Sequence, residues 1–344
     1  MTHRVTLKPS GHGYPVPEGQ NVLQAGLDAG LMLPYSCRSG VCRTCRGTIL
    51  EGQVDYGMVH SNYLPDGDKA KGYALLCQAK PLSDLVIEVR EVEGVPPRII
   101  PCRVERLEKP SSDVAVIGLR LPMNENFRFL AGQYVDMLLK DGKRRSYSLA
   151  TRPDPGGVTA LEIHVRHTPG GTFTDHVFGK LKARDLLRFE GPLGSFYLRE
   201  DSDRPIVMVA SGTGFAPIKA ICEQAFEKKI NRPITLYWGC RAKRDLYMLE
   251  VPVKWQHPGF KFVPVLSDPT PECEWAGRTG FVHRAVMEDF PDMSGVQVYA
   301  CGAPVVIEAA RRDFGARCRL PPDEFYADSF LTEADKAPAA VAAS

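Results

Sequence analysis

Nowhere in the 344-residue chain do 18 apolar residues run together, which excludes an ordinary membrane-spanning helix. The N-terminal stretch MTHRVTLKPSGHGYPVPEGQ lacks the apolar core of a signal peptide, so a cytoplasmic protein is expected. Cysteine is also sparse for a disulfide scaffold: of ten, six stand singly, and a reducing compartment would keep them as thiols. Basic residues form no long stripe and the formal net charge is only +2. Nucleic acid is therefore not the expected partner. What remains is a chain that is 44% hydrophobic, able to bury cores in roughly two or three domains.

Three cysteines are nonetheless concentrated in residues 35–45, YSCRSGVCRTC, spaced four and then two apart, with two arginines and no acidic residue. Zinc sites recruit ligands as two short pairs. Only Cys42 and Cys45 form such a pair, and no histidine pair follows. The spacing fits C-x4-C-x2-C with a distant fourth cysteine, the plant-type pattern in which four thiolates hold a 2Fe-2S cluster. Cys37, Cys42 and Cys45 are the first three candidate ligands, and Cys77 in ALLCQAK is the fourth. Ser39 and Gly40 let the backbone curl so that amides face anionic sulfurs, and Arg38, Arg43 and Arg46 bring compensating charge. A zinc site and free thiols stay open as alternatives at this point.

Beyond the cysteines, Gly94, Pro96 and Pro97 interrupt regular structure and place a linker at 94–98, after a first domain at 1–93. Residues 99–201 carry short alternating runs such as DVAVIGLRL, ALEIHVRH and DLLRFEGPLGSFYL, the texture of an antiparallel β-barrel. Residues 202–330 alternate apolar runs with helical patterns, among them PIVMVA, PIKAICEQAFEKK, PITLYWGC and GVQVYACG, which predicts an α/β domain with a parallel sheet. Residues 331–344, ending in ADKAPAAVAAS, are expected to be a disordered tail. Within the barrel stand RRSYSLA and, some twenty residues on, HVRHTPGGTFTDHVF. In the last domain VMVASGTGFAPIKA runs strand, glycine loop, helix, but Pro217 occupies the place of the third glycine of the ordinary dinucleotide fingerprint. The segment YACGAP follows, with Cys301 and Gly302 ending a strand where ligands bind in open parallel sheets.

These segments, in this order, resemble the ferredoxin-NADP reductase superfamily, in its iron-sulfur flavoprotein form with an N-terminal plant-type ferredoxin domain. Residues 1–93 resemble a β-grasp (α+β) ferredoxin, with RVTLK, NVLQAGLDAG, PYSCRSGVCRTC, GTIL and LLCQAK in sequence. The spacer between Cys45 and Cys77 is slightly longer than is common there, and EGQVDYGMVHSNYLPDGDKAKG is expected as surface loop. Arg145-x-Tyr147-Ser148 resembles the flavin motif, and HVRHTPGGTFTDHVF the second flavin-binding stretch. The resemblance implies FAD, with Arg145 gripping pyrophosphate, Tyr147 stacking on the isoalloxazine and Ser148 beside its reactive nitrogen. It puts His164 and Val165 along the flavin and Gly171 close to phosphate, with Thr172 and Thr174 as further donors. Gly212, Thr213, Gly214 and Pro217 match the family's Gly-Thr-Gly-x-Ala-Pro loop, whose amides receive the nicotinamide cofactor's pyrophosphate. Cys301, with Gly302 and Pro304, matches the family's nicotinamide-facing Cys-Gly motif, so Ser148 and Cys301 are the candidate catalytic residues. Cys102, Cys222, Cys240, Cys273 and Cys318 are read as packing residues.

The family order implies an NAD(P)H-dependent oxidoreductase that passes electrons through FAD and the cluster to a separate acceptor protein, in the first reading an oxygenase or hydroxylase component. The alternatives are a CDP-6-deoxy-glucoseen-type reductase of deoxysugar synthesis, a self-sufficient flavin or quinone reductase, and a non-enzymatic sensor. A monomer without a membrane span is expected. Arg241, Lys243 and Arg244 after TLYWGC point to NADPH, whereas the family mostly uses NADH and Asp245 is placed to pair with those arginines. The expectation is NADH with tolerance of NADPH. Phe325, Tyr326 and Phe330 are the candidates to cover the flavin, and Asp328 the candidate to lie near the nicotinamide.

Overall fold

The computed structural model describes residues 2–92 and 94–331; all but the first residue of the 331–344 tail therefore lies outside the described residues. The chain divides into two compact units, 1–94 with 328–344, and 95–327.

The first unit is built on β1 (His3–Lys8), β2 (Gly13–Val16), α1 (Val22–Asp28), β3 (Arg46–Glu51), β4 (Val54–Asp55), α2 (Asp66–Ala70), β5 (Tyr73–Leu75), β6 (Lys80–Pro81) and β7 (Leu85–Glu88). Its sheet runs β2-β1-β7-β3-β5, with β1 and β7 parallel and the other pairs antiparallel. That mixed order, with one helix packed on the sheet, is the β-grasp arrangement. Alternation explains β1, where Val5 and Leu7 are buried between more exposed neighbours. The helix α1 starts because Asn21 accepts a hydrogen bond from the Gln24 amide at 2.8 Å. The spacer expected as plain loop differs: it holds β4, which pairs with β6, and the helical turn α2, whose first turn carries Asp66 and Asp68.

The second unit begins with β8 (Arg98–Ser111), β9 (Val114–Arg120), β10 (Tyr134–Leu138), β11 (Arg144–Ser148), β12 (Ala160–Arg166), α3 (Thr172–Gly179) and β13 (Leu186–Leu193). Six strands pair antiparallel in the order β11-β10-β13-β8-β9-β12. A bridge between Leu149 and Ile163 joins the two edges, so the sheet closes into a barrel. Its core includes Ile117, Phe127, Val135, Ile163 and Phe189.

Then follow β14 (Ile206–Ser211), α4 (Phe215–Glu227), β15 (Ile234–Cys240), α5 (Glu250–Lys254), β16 (Phe260–Leu266), β17 (Arg278–Thr279), α6 (Val282–Asp289), β18 (Gln297–Gly302), α7 (Pro304–Cys318) and β19 (Phe325–Ser329). The sheet order is β17-β16-β15-β14-β18-β19, with the strands from β17 to β18 parallel. Helices on both faces bury the central strands twice over, which is why β14 reads IVMVA and β18 is buried throughout. Chain order reverses between β15 and β18 on either side of β14, and the crevice at the carboxyl ends of β14 and β18 is therefore the natural ligand position. Among the described residues no helix is long and apolar enough to cross a membrane.

Candidate active site

The loop from Ser36 to Cys45 has no regular structure, and Arg38, Gly40 and Arg43 all take positive φ along it. The curl turns amides inward. The Cys37 sulfur accepts hydrogen bonds from the amides of Ser39 at 3.4 Å and Cys42 at 3.3 Å, and the Cys37 amide donates to the Cys42 sulfur at 3.5 Å. Cys77 arrives from the turn after β5, which is tied to the loop by the Leu76 amide donating to the Cys45 carbonyl at 3.0 Å. The four thiols perturb one another chiefly in two pairs, Cys37 with Cys42 and Cys45 with Cys77. The Cys42 bond and those amides pull the Cys37 thiol down to about 5 against the effect of burial, while pairing and burial push Cys42 and Cys45 up. Among the described residues no three His, Cys, Asp or Glu side chains gather as one metal ion requires. Two thiol pairs are the donor set of a two-iron cluster, in which each iron takes two cysteines, and so these residues fit a 2Fe-2S group.

In the second unit, the two candidate flavin stretches meet. Ser148 ends β11 in a buried position, pairing with Tyr134, and Tyr147 packs on Phe173 of α3. Arg145 is half-buried on the same strand. Gly171 caps α3, but the Thr174 hydroxyl is already used within the loop, donating to the Thr168 carbonyl at 2.8 Å. His164 and Val165 are buried on β12.

At the carboxyl edge of the parallel sheet the expected loop, Gly212–Gly214, forms a 3-10 turn that leads into α4, with Pro217 in the first turn of the helix. Thr213 is buried there. Gly214 lies so close to β18 that a Cβ would stand 2.0 Å from the Cys301 carbonyl oxygen. Gly302 takes φ +134°, and a Cβ built there would collide with the Ser211 carbonyl oxygen, a conformation and a contact suited to glycine alone. Cys301 is fully buried, and Pro304 opens α7. A feature that the motifs do not single out is Arg166. Its Nε and Nη2 are buried without a hydrogen-bond partner, near Asp113, and its Nη1 lies 2.9 Å from where a Gly212 Cβ would be. A guanidinium ion-paired with Asp113 at 3.4 Å, with Nε and Nη2 still short of hydrogen bonds and set over a glycine cradle, is suited to an anionic cofactor group, so the residues fit dinucleotide-type ligands.

Arg241 follows β15 with its side chain 74% exposed, and its Nε lies 3.6 Å from Asp245. Asp245 is buried and accepts from the Ala242 amide, and Lys243 donates to the Cys273 carbonyl. The C-terminal aromatics are otherwise engaged: Tyr326 stacks on Tyr299 at 4.9 Å under Arg199, and Phe325 packs against Phe314 and Arg311. Asp328 is buried and Phe330 half-buried. Of the cysteines read as packing residues, Cys102, Cys222, Cys240 and Cys318 are buried; Cys273 is partly exposed in a 3-10 turn.

Between barrel and sheet runs a polar network that local sequence patterns also miss. Burial raises the Glu162 carboxyl, but His164, Lys219 and Arg106 outweigh it and hold it at about 2. Burial lowers His164, which is neutral despite Glu162, and raises Tyr247 well above its ordinary range. The hydrogen positions follow. A carboxylate only accepts, so His164 Nε2–H donates to Glu162 at 3.0 Å, and Nδ1 accepts from the Tyr247 hydroxyl at 2.7 Å.

A paired-thiol loop, a flavin-type barrel and a nicotinamide-type sheet define an iron-sulfur flavoprotein oxidoreductase. Residues 5–82 match the 2Fe-2S iron-sulfur cluster binding domain, 101–197 the oxidoreductase FAD-binding domain, and 208–312 the oxidoreductase NAD-binding domain. The chain is 39% identical to a CDP-6-deoxy-L-threo-D-glycero-4-hexulose-3-dehydrase reductase of Yersinia pseudotuberculosis, over 96% of this chain and 99% of that one. It is 36% identical to terephthalate 1,2-dioxygenase reductase component 2 of Comamonas sp., over 96% and 98%. The crystal structure of the Amycolatopsis cytochrome P450 reductase GcoB matches with a TM-score of 0.75 at 36% identity, over 96% of this chain and 99% of that one. The chain belongs to the iron-sulfur flavoprotein reductases of the ferredoxin-NADP reductase superfamily, NAD(P)H-dependent oxidoreductases with 2Fe-2S, FAD and NAD-binding domains.

Proposed function

We propose that this chain is the reductase component of a two-component system and delivers electrons from NAD(P)H, one at a time, to a separate acceptor protein. The observation that carries this reading is end-to-end similarity to reductase components, with all three domains in one chain. Cys37, Cys42, Cys45 and Cys77 hold the cluster in this proposal. Arg145, Tyr147, Ser148, His164, Val165, Gly171 and Thr172 line the flavin, and Arg166 answers an anionic group over Gly212. Gly212, Thr213, Gly214, Pro217, Cys301, Gly302 and Pro304 shape the nicotinamide pocket, with Arg241 at its rim. When bound, the flavin supplies the exchange between a two-electron hydride and single electrons, and the cluster supplies a one-electron exit. The chain's own part is to bind, orient and exclude water: Gly214 and Gly302 let the loop after β14 and the end of β18 pack backbone to backbone, Ser148 and Cys301 are both buried, and the inward amides of Ser39 and Cys42 favour thiolate charge.

An oxygenase or hydroxylase component is the acceptor favoured by the terephthalate 1,2-dioxygenase relative. The Yersinia hexulose dehydrase reductase, at 39% identity, favours a dehydrase acceptor as the second reading. A cytoplasmic, monomeric protein fits either. The test uses the full chain and Cys42→Ser. With NADH, ferricyanide reduction is expected to survive in the variant and cytochrome c reduction to be lost; retention of both would remove the cluster from the exit path. Turnover with a terephthalate-type oxygenase against a CDP-hexulose dehydrase then separates the two acceptors.

A further inference from the structure

Two contacts tie the flavin strand to the nicotinamide loop, one through Lys219 and one through Tyr247, neither of which is expected to touch a cofactor. The first is Lys219, on the second turn of α4, five residues after Gly214. Its Nζ donates to the Ala150 carbonyl at 3.0 Å and to Glu223 at 3.1 Å, and lies 3.7 Å from Glu162, with the side chain only 13% exposed. Ala150 is two residues past Ser148, and its own amide donates to the Glu162 carbonyl. The second is the Tyr247–His164 hydrogen bond. Tyr247 stands edge-on to Phe215, the first residue of α4, and to Trp238, and Trp238 stacks on Phe215 with centroids 4.0 Å apart and donates to the Gly212 carbonyl at 3.0 Å.

Both contacts therefore end on the same rigid body. Gly214 is pressed on Cys301, Phe215 opens α4, and Lys219 reaches from that helix to the carbonyl beside Ser148. Glu162 balances Lys219 while held by Arg106 at 2.6 Å and by His164, so the lysine is buried with its charge answered, as a buried cation must be. A cavity of about 450 Å³ flanks the network, lined by Arg106, Thr151, Arg152, Glu162, Lys219 and Glu223 among others. None of the candidate cofactor residues lines it.

We infer that Lys219 and Tyr247 are positioning residues for hydride transfer: they fix the offset between the Ser148 side and the Cys301 side of the site, resting on the proposed assignment of those two sides to flavin and nicotinamide. In the step they serve, the C–H bond of the dihydronicotinamide breaks and its hydrogen leaves with both electrons for the flavin, which leaves the nicotinamide oxidised. The rate of such a transfer falls steeply with misplacement of the partners, and an ångström costs on the order of a hundredfold. Binding of each partner alone depends on its own half of the site and tolerates the shift.

The test compares the wild-type holoenzyme with Lys219→Met, Lys219→Arg and Tyr247→Phe, the last keeping the packed ring and removing only the hydroxyl. Flavin content and the dissociation constant of NAD+, read from perturbation of the oxidised flavin spectrum, report binding without turnover; anaerobic bleaching by saturating NADH reports transfer. Lys219→Met is expected to keep flavin content and NAD+ affinity within about twofold and to lose on the order of tenfold to a hundredfold in bleaching rate. Lys219→Arg restores part of it, and Tyr247→Phe loses less in the same sense. Wild-type bleaching in both Lys219→Met and Tyr247→Phe overturns the inference, as does a loss matched by lost flavin or weakened NAD+ binding. A wild type that holds flavin but is not bleached by either nicotinamide sinks the underlying functional reading as well, and is distinguished by failing before any substitution.

Discussion

Tyr147 on β11 and Phe173 in the first turn of α3 pack with ring centroids 5.2 Å apart and planes tilted by 45°. This contact joins the two stretches proposed to line the flavin, so the platform is formed by packing within the barrel before any ligand is considered. Phe173→Ala is expected to lower FAD retention along with Tyr147→Ala and Arg145→Ala, seen as reduced flavin absorbance after gel filtration. Ser148→Ala is expected to keep FAD and slow hydride transfer, because a buried hydroxyl adds orientation and little binding area. An unchanged transfer rate in Ser148→Ala would take that residue out of the mechanism.

Cys42→Ser is expected to yield a yellow protein in place of a red-brown one, with iron and sulfide lost and FAD retained, because thiol and flavin residues fall in separate units. Iron, sulfide and flavin analysis checks this. One equivalent of zinc without iron in the wild type would refute the cluster assignment.

The buried His164 and Glu162 make the barrel acid-sensitive. As pH falls below about 6.5 the unfolded histidine takes a proton that the buried, down-shifted imidazole refuses. Below about 4.5 the unfolded Glu162 does likewise, down to about 2. Stability present at neutral pH is therefore lost on acidification, by at most about 1.4 kcal/mol per pH unit for each proton. Melting curves between pH 7.5 and 5.5 are expected to show a shallower decline for His164→Gln than for the wild type, whereas equal slopes would place the titration elsewhere.

Nicotinamide preference is expected to favour NADH with tolerance of NADPH. Arg241 is mostly exposed and only loosely held by Asp245, which leaves it available at the rim. The measurement is the ratio of kcat/KM for the two coenzymes in the wild type and in Arg241→Ala with Arg244→Ala; strong NADPH selectivity abolished by the double change would show that the arginines decide.

Much of this organisation was legible because its signals are local. Cysteine spacing, the Arg145–Ser148 stretch and the Gly212–Gly214 loop each lie within a few consecutive residues. The network around Lys219 was not, because a lysine on a helix reads as a solvated face, and its partner Ala150 lies 69 residues away. Arg166 stood inside a quoted stretch, yet its burial depends on the loop at Gly212. The β4 and α2 pieces were hidden in a polar spacer, since two-residue pairing leaves no periodicity to read. The partners of the C-terminal aromatics were equally unreadable, since only tertiary packing shows Tyr326 stacked on Tyr299.

The close seating of Gly214 on Cys301 and of Gly302 on Ser211 divides the proposed nicotinamide pocket into a part with no room for a side chain and a part open to change. Where two backbones touch, even one added methyl displaces a strand. At Arg241, whose side chain stands largely in solvent, almost any residue fits. If the pocket is the one proposed, substitutions that retune coenzyme choice are expected to be tolerated at Arg241 and not at Gly214 or Gly302.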